Sequence, residues 1–249
     1  MMRIDAQGLN YKELNHLVRE AVTQGQFDLF LDHVNGQRYI GDALAGNIQI
    51  RVKGVAGQDL AAFMDGPTIR VEGNAQDGVG NTMNSGKVVI LGQAGDVLGY
   101  AMRGGKLYVT GNAGYRIGIH MKSYQNMVPV IVIGGKAADF LGEYMAGGVL
   151  IVLGMGAQEE EFTQKALAGD YLGTGMHGGA IYLRGKIDPS QIGREIAPAD
   201  LTEEDHRLLH SELAEFCQDV GWNLEEVLEV PFTKLVPLSH RPYGGHYSY

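Results

Sequence analysis

Cysteine is nearly missing from this sequence. Cys217 stands alone among 249 residues, so the chain can close no internal disulfide and cannot supply the several thiolates of an iron–sulfur cluster. Long apolar runs are missing too: residues 149–153 form one of the longest, far short of the roughly 20 residues of a membrane helix. No basic, apolar leader pattern follows Met1, and a cytoplasmic location is the expectation. Cations are the minority, 20 Lys and Arg against 29 Asp and Glu. That balance argues against a nucleic-acid partner, which is held mainly by basic side chains on phosphates. The eight histidines are scattered, with no H-E-x-x-H and no Cys/His pair at ligand spacing, so no metal site is expected. His120 and His177 each adjoin a methionine and read as solvent-facing or core-satisfied side chains.

Glycine, by contrast, is abundant. Its 37 copies exceed the average usage of about 7%, without the proline and low-complexity runs of disorder. The glycines are periodic. Those closing apolar runs stand at Gly54, Gly73, Gly92, Gly111, Gly134, Gly154 and Gly185, in steps of 19, 19, 19, 23, 20 and 31. Met64, Met83, Met102, Met121, Met145 and Met176 keep the same beat, in steps of 19, 19, 19, 24 and 31.

Two and four residues before each closing glycine stand apolar side chains, from Ile50 and Val52 to Ile181 and Leu183. Period two means a strand. A 19-residue unit with one strand and glycine corners is too short for helical-pair repeats and lacks the leucine-rich repeat core. The expected fold is an all-β core, a single-stranded parallel β-helix of about seven coils. Stacking then places Val52, Val71, Ile90, Val109, Val132, Val152 and Leu183 in one inward ladder and the six methionines in another, with core filling as the role of the thioethers. The outward positions turn from Arg51 and Arg70 to apolar Val89, Leu91, Ile131, Ile133, Ile151 and Leu153. A patch of this kind needs a cover, either a docked element of the same chain or a partner.

Helices flank the coils. Asn10 and Glu13 form a capping box before Leu14, Leu17, Val18, Ala21 and Val22, and a strand follows Phe27. After the coils, Thr202 and Asp205 cap a helix carrying Leu209, Leu213, Phe216, Cys217 and Val220, and a shorter helix starts at Asn223. Residues 201–230 hold nine acids against one Arg207; they read as a solvated helix face, with a docking surface for a basic partner as the alternative. Extra residues enlarge the coil around 122–129, and about twelve more, read as helical at 157–168, enlarge the next. The division expected is a cap over 1–46, the β-helix over 47–187 and a helical extension with an aromatic, basic docking tail over 188–249.

No motif carries chemistry. Gly173-Thr174-Gly175-Met176-His177-Gly178 has dinucleotide-loop spacing but precedes a strand instead of a helix. Gly154-Met155-Gly156 is followed by Glu159, Glu160 and Glu161, which would repel a pyrophosphate. Gly134-Gly135-Lys136 lacks the rest of a phosphate loop, and Cys217 on an apolar helix face reads as a small hydrophobe.

Four stretches carry a family resemblance: Val55-Ala56-Gly57-Gln58, Gly73-Asn74-Ala75-Gln76-Asp77-Gly78-Val79-Gly80, the run from Leu141-Gly142-Glu143-Tyr144-Met145-Ala146-Gly147-Gly148 to Gly154, and Gly175-Met176-His177-Gly178-Gly179. They resemble the G-x-G-x-G domain that closes the glutamate synthase large subunit and recurs in one of the chains of formylmethanofuran dehydrogenase. Residues 35–46 are similar to the segment leading into that domain, and Phe232-Thr233-Lys234-Leu235-Val236-Pro237 to the glutamate synthase segment leaving it. The sequence departs from the family at residues 122–129 and at Asp59-Leu60-Ala61, where glycine is more typical. The resemblance implies a right-handed β-helix without catalytic or cofactor-binding residues. It also implies partner chains, a glutaminase subunit and a synthase subunit with FMN and an iron–sulfur cluster, braced along the ammonia route between them. A second copy of the chain stays open as a partner. The N-terminus begins Met1-Met2, without the cysteine nucleophile of a glutaminase. The expected role is therefore a scaffold subunit of a multi-chain glutamate synthase, with a one-carbon or amine-metabolising relative as the alternative.

Overall fold

Each coil turns because three alternate residues take left-handed backbone. In a computed structural model that describes residues 1–155 and 167–241, these triplets are Asp59, Ala61 and Phe63; Gly78, Gly80 and Thr82; Val97, Gly99 and Ala101; Arg116, Gly118 and His120; Phe140, Gly142 and Tyr144; Tyr171, Gly173 and Gly175. Tyr39, Gly41 and Ala43 make an equivalent corner one coil earlier. Left-handed φ is strained for residues with a Cβ, and the middle position is the most demanding because it points inward. A Cβ on Gly99 would lie 2.4 Å from Ile131 Cδ1, and one on Gly41 at 2.4 Å from Ile69 Cδ1. Ala61 is the exception, with φ +62 and no exposure. By the same register it faces Val88, the single valine in the inner row Ile50, Ile69, Val88, Leu107, Ile131, Leu150, Ile181. A shorter partner makes room for the extra methyl.

Between corners runs one strand per coil: β1 (Met2–Asp5), β2 (Asp28–Asn35), β3 (Gln49–Val55), β4 (Asp65–Glu72), β5 (Ser85–Ile90), β6 (Lys106–Val109), β7 (Val130–Ile133), β8 (Ala146–Val152) and β9 (Gly178–Arg184). All nine stack parallel in chain order. The fold is a parallel β-solenoid, with six turns joining the seven strands β3 to β9. Its interior is filled by columns of like residues. Besides the strand rows there are the six methionines, each at most 2% exposed, the column Leu60, Val79, Leu98, Ile117, Leu141, Leu172, and a bridging alanine column Ala56, Ala75, Ala94, Ala113, Ala137, Ala168.

One column differs from the sequence expectation. Val109 pairs with Ile133, not Val132, so Gly135 takes the corner assigned to Gly134. Gly135 N–H donates to Gly111 O at 2.9 Å, and Gly154 N–H donates to Gly135 O at 3.0 Å. The step of 24 then equals that from Met121 to Met145. Ile131 and Ile133 consequently face the interior, and the expectation that they lie on the outer flank is corrected. Strand β7 is buried on both faces, which erases the period-two contrast that sets register.

Both ends of the stack are closed by the chain itself. Helix α1 (Tyr11–Thr23), capped by Asn10 and Glu13, buries Leu14, Val18 and Ala21 in the first coils' core. At the other end β11 (Phe232–Pro237) runs antiparallel to β9, and β10 (Ile196–Ala199) runs antiparallel to β11. Strands β1, β10 and β11 carry no glycine beat and are not legible from the repeat. A single eleven-stranded sheet thus runs through all three segments of the expected division. The helix read over 157–168 falls almost entirely outside the described residues, as does the tail beyond Arg241.

Candidate functional site

The apolar outer flank is covered from within the chain. Helix α2 (Glu203–Val220), opened by the Thr202/Asp205 capping box and closed by left-handed Gly221, lies across the outer faces of the strands; α3 (Leu224–Leu228) follows it. An 18-residue helix is about 27 Å long, and six strands from β4 to β9 span about 24 Å at their usual spacing. Leu209, Leu213, Phe216 and Cys217 pack there with Val89, Tyr108, Val132, Ile151, Leu153 and Tyr182 in a second core, with Leu91 at its margin.

Four of the six acidic residues of α2 hold this seat, which corrects their reading as a solvated face, while Glu203 and Glu204 stay exposed. Lys87 Nζ lies 2.8 Å from Glu215 and 2.7 Å from Asp219, while Lys106 Nζ lies 2.7 Å from Glu212 and 2.6 Å from Glu215. Burial would lower both lysine pKa values, but the carboxylates outweigh it and raise them. At the other end of the helix, buried Asp205 accepts hydrogen bonds from the Tyr182 hydroxyl at 2.5 Å and from Lys234 at 2.7 Å. Burial alone would raise the Asp205 pKa; Lys234, Tyr182 and Thr202 hold it well below the usual carboxylate range. Burial also raises the Cys217 thiol, which suits a packed hydrophobe and not a thiolate nucleophile.

Among the described residues the left-handed edge stays uncovered. Alternation points the first and third residues of each triplet outward, so successive coils stack their side chains along the surface. Arg116 lies 4.4 Å over the Phe140 ring, and Phe140 stacks on Tyr171 at 4.9 Å between centroids. One position over, His120 stacks on Tyr144 at 5.3 Å and meets Tyr100 edge-on at 5.9 Å. Arg116 also pairs with Glu143, which is 6% exposed. Tyr171 is 58% exposed, Tyr115 46% and Tyr100 40%. Pre-stacked tyrosines beside an anchored arginine are the side chains that dominate binding at protein interfaces, and little side-chain freedom is left to lose. Sequence reasoning missed this edge, although its signal was available as aromatics at fixed offsets from the ladder methionines.

Among the described residues no three His, Cys, Asp or Glu stand close enough to share a metal, and no helix is long and apolar enough to cross a membrane. His120 faces solvent, while the half-buried His177 Nδ1 lies 3.2 Å from Gly175 O.

The comparisons with known proteins agree with this architecture. The family model described as the GXGXG motif matches residues 27–237. An uncharacterized protein of Methanocaldococcus jannaschii is 45% identical over 253 residues, covering 98% of this chain and 95% of that one. The fold is also similar to a chain in the crystal structure of the formyltransferase/hydrolase complex (FhcABCD) from Methylorubrum extorquens in complex with methylofuran. That match has a TM-score of 0.61 and 22% identity, and it covers 91% of this chain and 87% of that one.

Proposed function

The chain belongs to the GXGXG motif family, and from that premise we propose that it is a non-catalytic scaffold subunit of a multi-chain glutamate synthase. In this reading a glutaminase subunit and an FMN/iron–sulfur synthase subunit dock on the solenoid, which braces them beside the route ammonia takes from one to the other. The observation that carries the reading is the left-handed edge: Arg116, Phe140, Tyr171, His120 and Tyr144 are stacked and anchored, yet used by no element of the described chain. The stack beneath is stiff, because every coil is hydrogen-bonded to the coils on either side. A rigid platform with a preorganised aromatic face suits docking better than chemistry. The resemblance of Phe232-Thr233-Lys234-Leu235-Val236-Pro237 to the glutamate synthase segment supports the assignment within the family.

The test is co-expression with candidate glutaminase and FMN/iron–sulfur synthase subunits. Retention of both through size exclusion, with glutamate formed from glutamine and 2-oxoglutarate by the assembly alone, is the expected result. Glutamine hydrolysis by the isolated chain, or failure to retain either subunit, contradicts it.

A second reading is favoured by the fold likeness to a chain of the formyltransferase/hydrolase complex. Here the solenoid serves as the corresponding scaffold in a one-carbon complex of the formylmethanofuran dehydrogenase type. Retention of formyltransferase-type chains in place of the glutaminase and synthase chains decides for it.

A further inference from the structure

The excursion at residues 122–129 builds a pocket around two cations that nothing in the described chain neutralises. Asn84, Arg103 and Lys122 each follow a ladder methionine, and their backbones stack: Arg103 N–H donates to Met83 O and Lys122 N–H to Met102 O, both at 2.9 Å. Successive coils thus bring the two cationic side chains out side by side, at a backbone spacing of about 4.8 Å. The comparable lysine pair, Lys87 and Lys106, is met by three carboxylates of α2. Arg103 and Lys122 have no carboxylate partner among the described residues, in a chain whose formal charge is −9.

The inserted residues line one side of this exposed pair. Tyr124 and Met127 bridge antiparallel, exchanging backbone hydrogen bonds of 3.0 and 2.9 Å across a tight turn. Two glycines let the turn lie close. A Cβ on Gly104 would stand 3.2 Å from Met127 Cβ, and one on Gly147 would stand 2.4 Å from Ser123 N. The result is a cavity of about 430 Å³ lined by Asn84, Arg103, Lys122, Tyr124 and Met127, within the roughly 300–1,000 Å³ range of small-molecule sites.

We propose that this pocket binds a small dianion, a molecule bearing a phosphate or two carboxylates. The Arg103 fork and the Lys122 ammonium take the anionic oxygens, the Asn84 amide donates a further hydrogen bond, and Tyr124 with Met127 packs the stem. An anion between the two cations also relieves their mutual repulsion.

Isothermal titration of the full chain with inorganic phosphate, and separately with glutarate, tests the assignment. Each single variant, Arg103→Gln and Lys122→Gln, removes one charge at an exposed position and keeps the melting temperature of the parent. Arg51→Gln, on the outer strand face, is the control. The expected result is saturable binding of at least one probe, weakened about tenfold or more by each pocket variant and unchanged in the control. Phosphate alone, or glutarate alone, identifies which anionic group the site prefers. The proposal is overturned if neither probe saturates up to tens of millimolar, or if both pocket variants bind as the parent does.

Discussion

Tyr108 on β6 and Phe216 on α2 meet edge to face, 5.5 Å between ring centroids at 84°. Both are fully buried, and together they join the outer strand face to the helix that covers it. The contact is asymmetric, because the buried Tyr108 hydroxyl makes no well-formed hydrogen bond to any described residue, the Glu212 carboxylate being its nearest candidate. Burial and the nearby Glu215, Glu212 and Asp219 carboxylates raise its pKa and keep it neutral. An orphaned hydroxyl costs about 1–3 kcal/mol of desolvation. Tyr108→Phe should therefore leave urea-unfolding stability unchanged or raise it by about 1 kcal/mol. Phe216→Ala should lower it by about 3–5 kcal/mol. A clear loss in Tyr108→Phe would show that the hydroxyl does find a partner.

The inner columns yield a sharper test through Ala61 and Val88. Overpacking a full core costs about 1–3 kcal/mol, so Val88→Ile should destabilise the parent by that order as the added methyl meets the Ala61 Cβ. In an Ala61→Gly background, which restores the glycine used by the other coils, the same change should be nearly neutral. A double-mutant cycle on denaturation midpoints measures the coupling. Additivity within about 0.3 kcal/mol would refute the pairing.

How legible the fold is in sequence depends on how each contact repeats. The methionine column, the closing glycines and both capped helices follow from spacing because each coil restates the same residue type at the same offset. Register is lost at β7, where Val130, Ile131, Val132 and Ile133 are all buried and the doublet Gly134-Gly135 offers two corners. The role of α2 is hidden for another reason. Its acids read as solvated until the fold sets Lys87 and Lys106 beneath them, a pairing over more than 100 residues of chain. The left-handed edge is obscured because Arg116, Phe140 and Tyr171 share a position without sharing a chemistry.

Asp205 should give the fold an acid-sensitive seat. Its carboxyl is held below the usual range by Lys234, Tyr182 and Thr202 against the opposing effect of burial. A depressed carboxylate contributes stability that is complete above the unfolded pKa of about 3.9 and is lost as pH falls through the folded value. Asp205→Asn should accordingly be less stable than the parent at pH 7, with the gap narrowing below about pH 4. Urea midpoints measured from pH 7 to pH 2.5 check this; a gap that stays constant across that range would remove Asp205 from the account.

The exposed edge predicts a separation between folding and assembly. Tyr171 is 58% exposed and its ring touches Phe140 on one side, so Tyr171→Ala should change unfolding stability by no more than about 0.5 kcal/mol, as surface changes usually do. At a docked interface the same truncation removes a large rigid side chain that had excluded water, an effect of about 2 kcal/mol or more at a hot spot. Affinity for the glutaminase or synthase subunit should then fall by about thirtyfold, read by biolayer interferometry on the purified chains. Arg116→Ala should do both kinds of damage, because it also strands Glu143 at 6% exposure without its cation. If Tyr171→Ala binds the partner subunits as tightly as the parent, the docking face lies elsewhere on the solenoid.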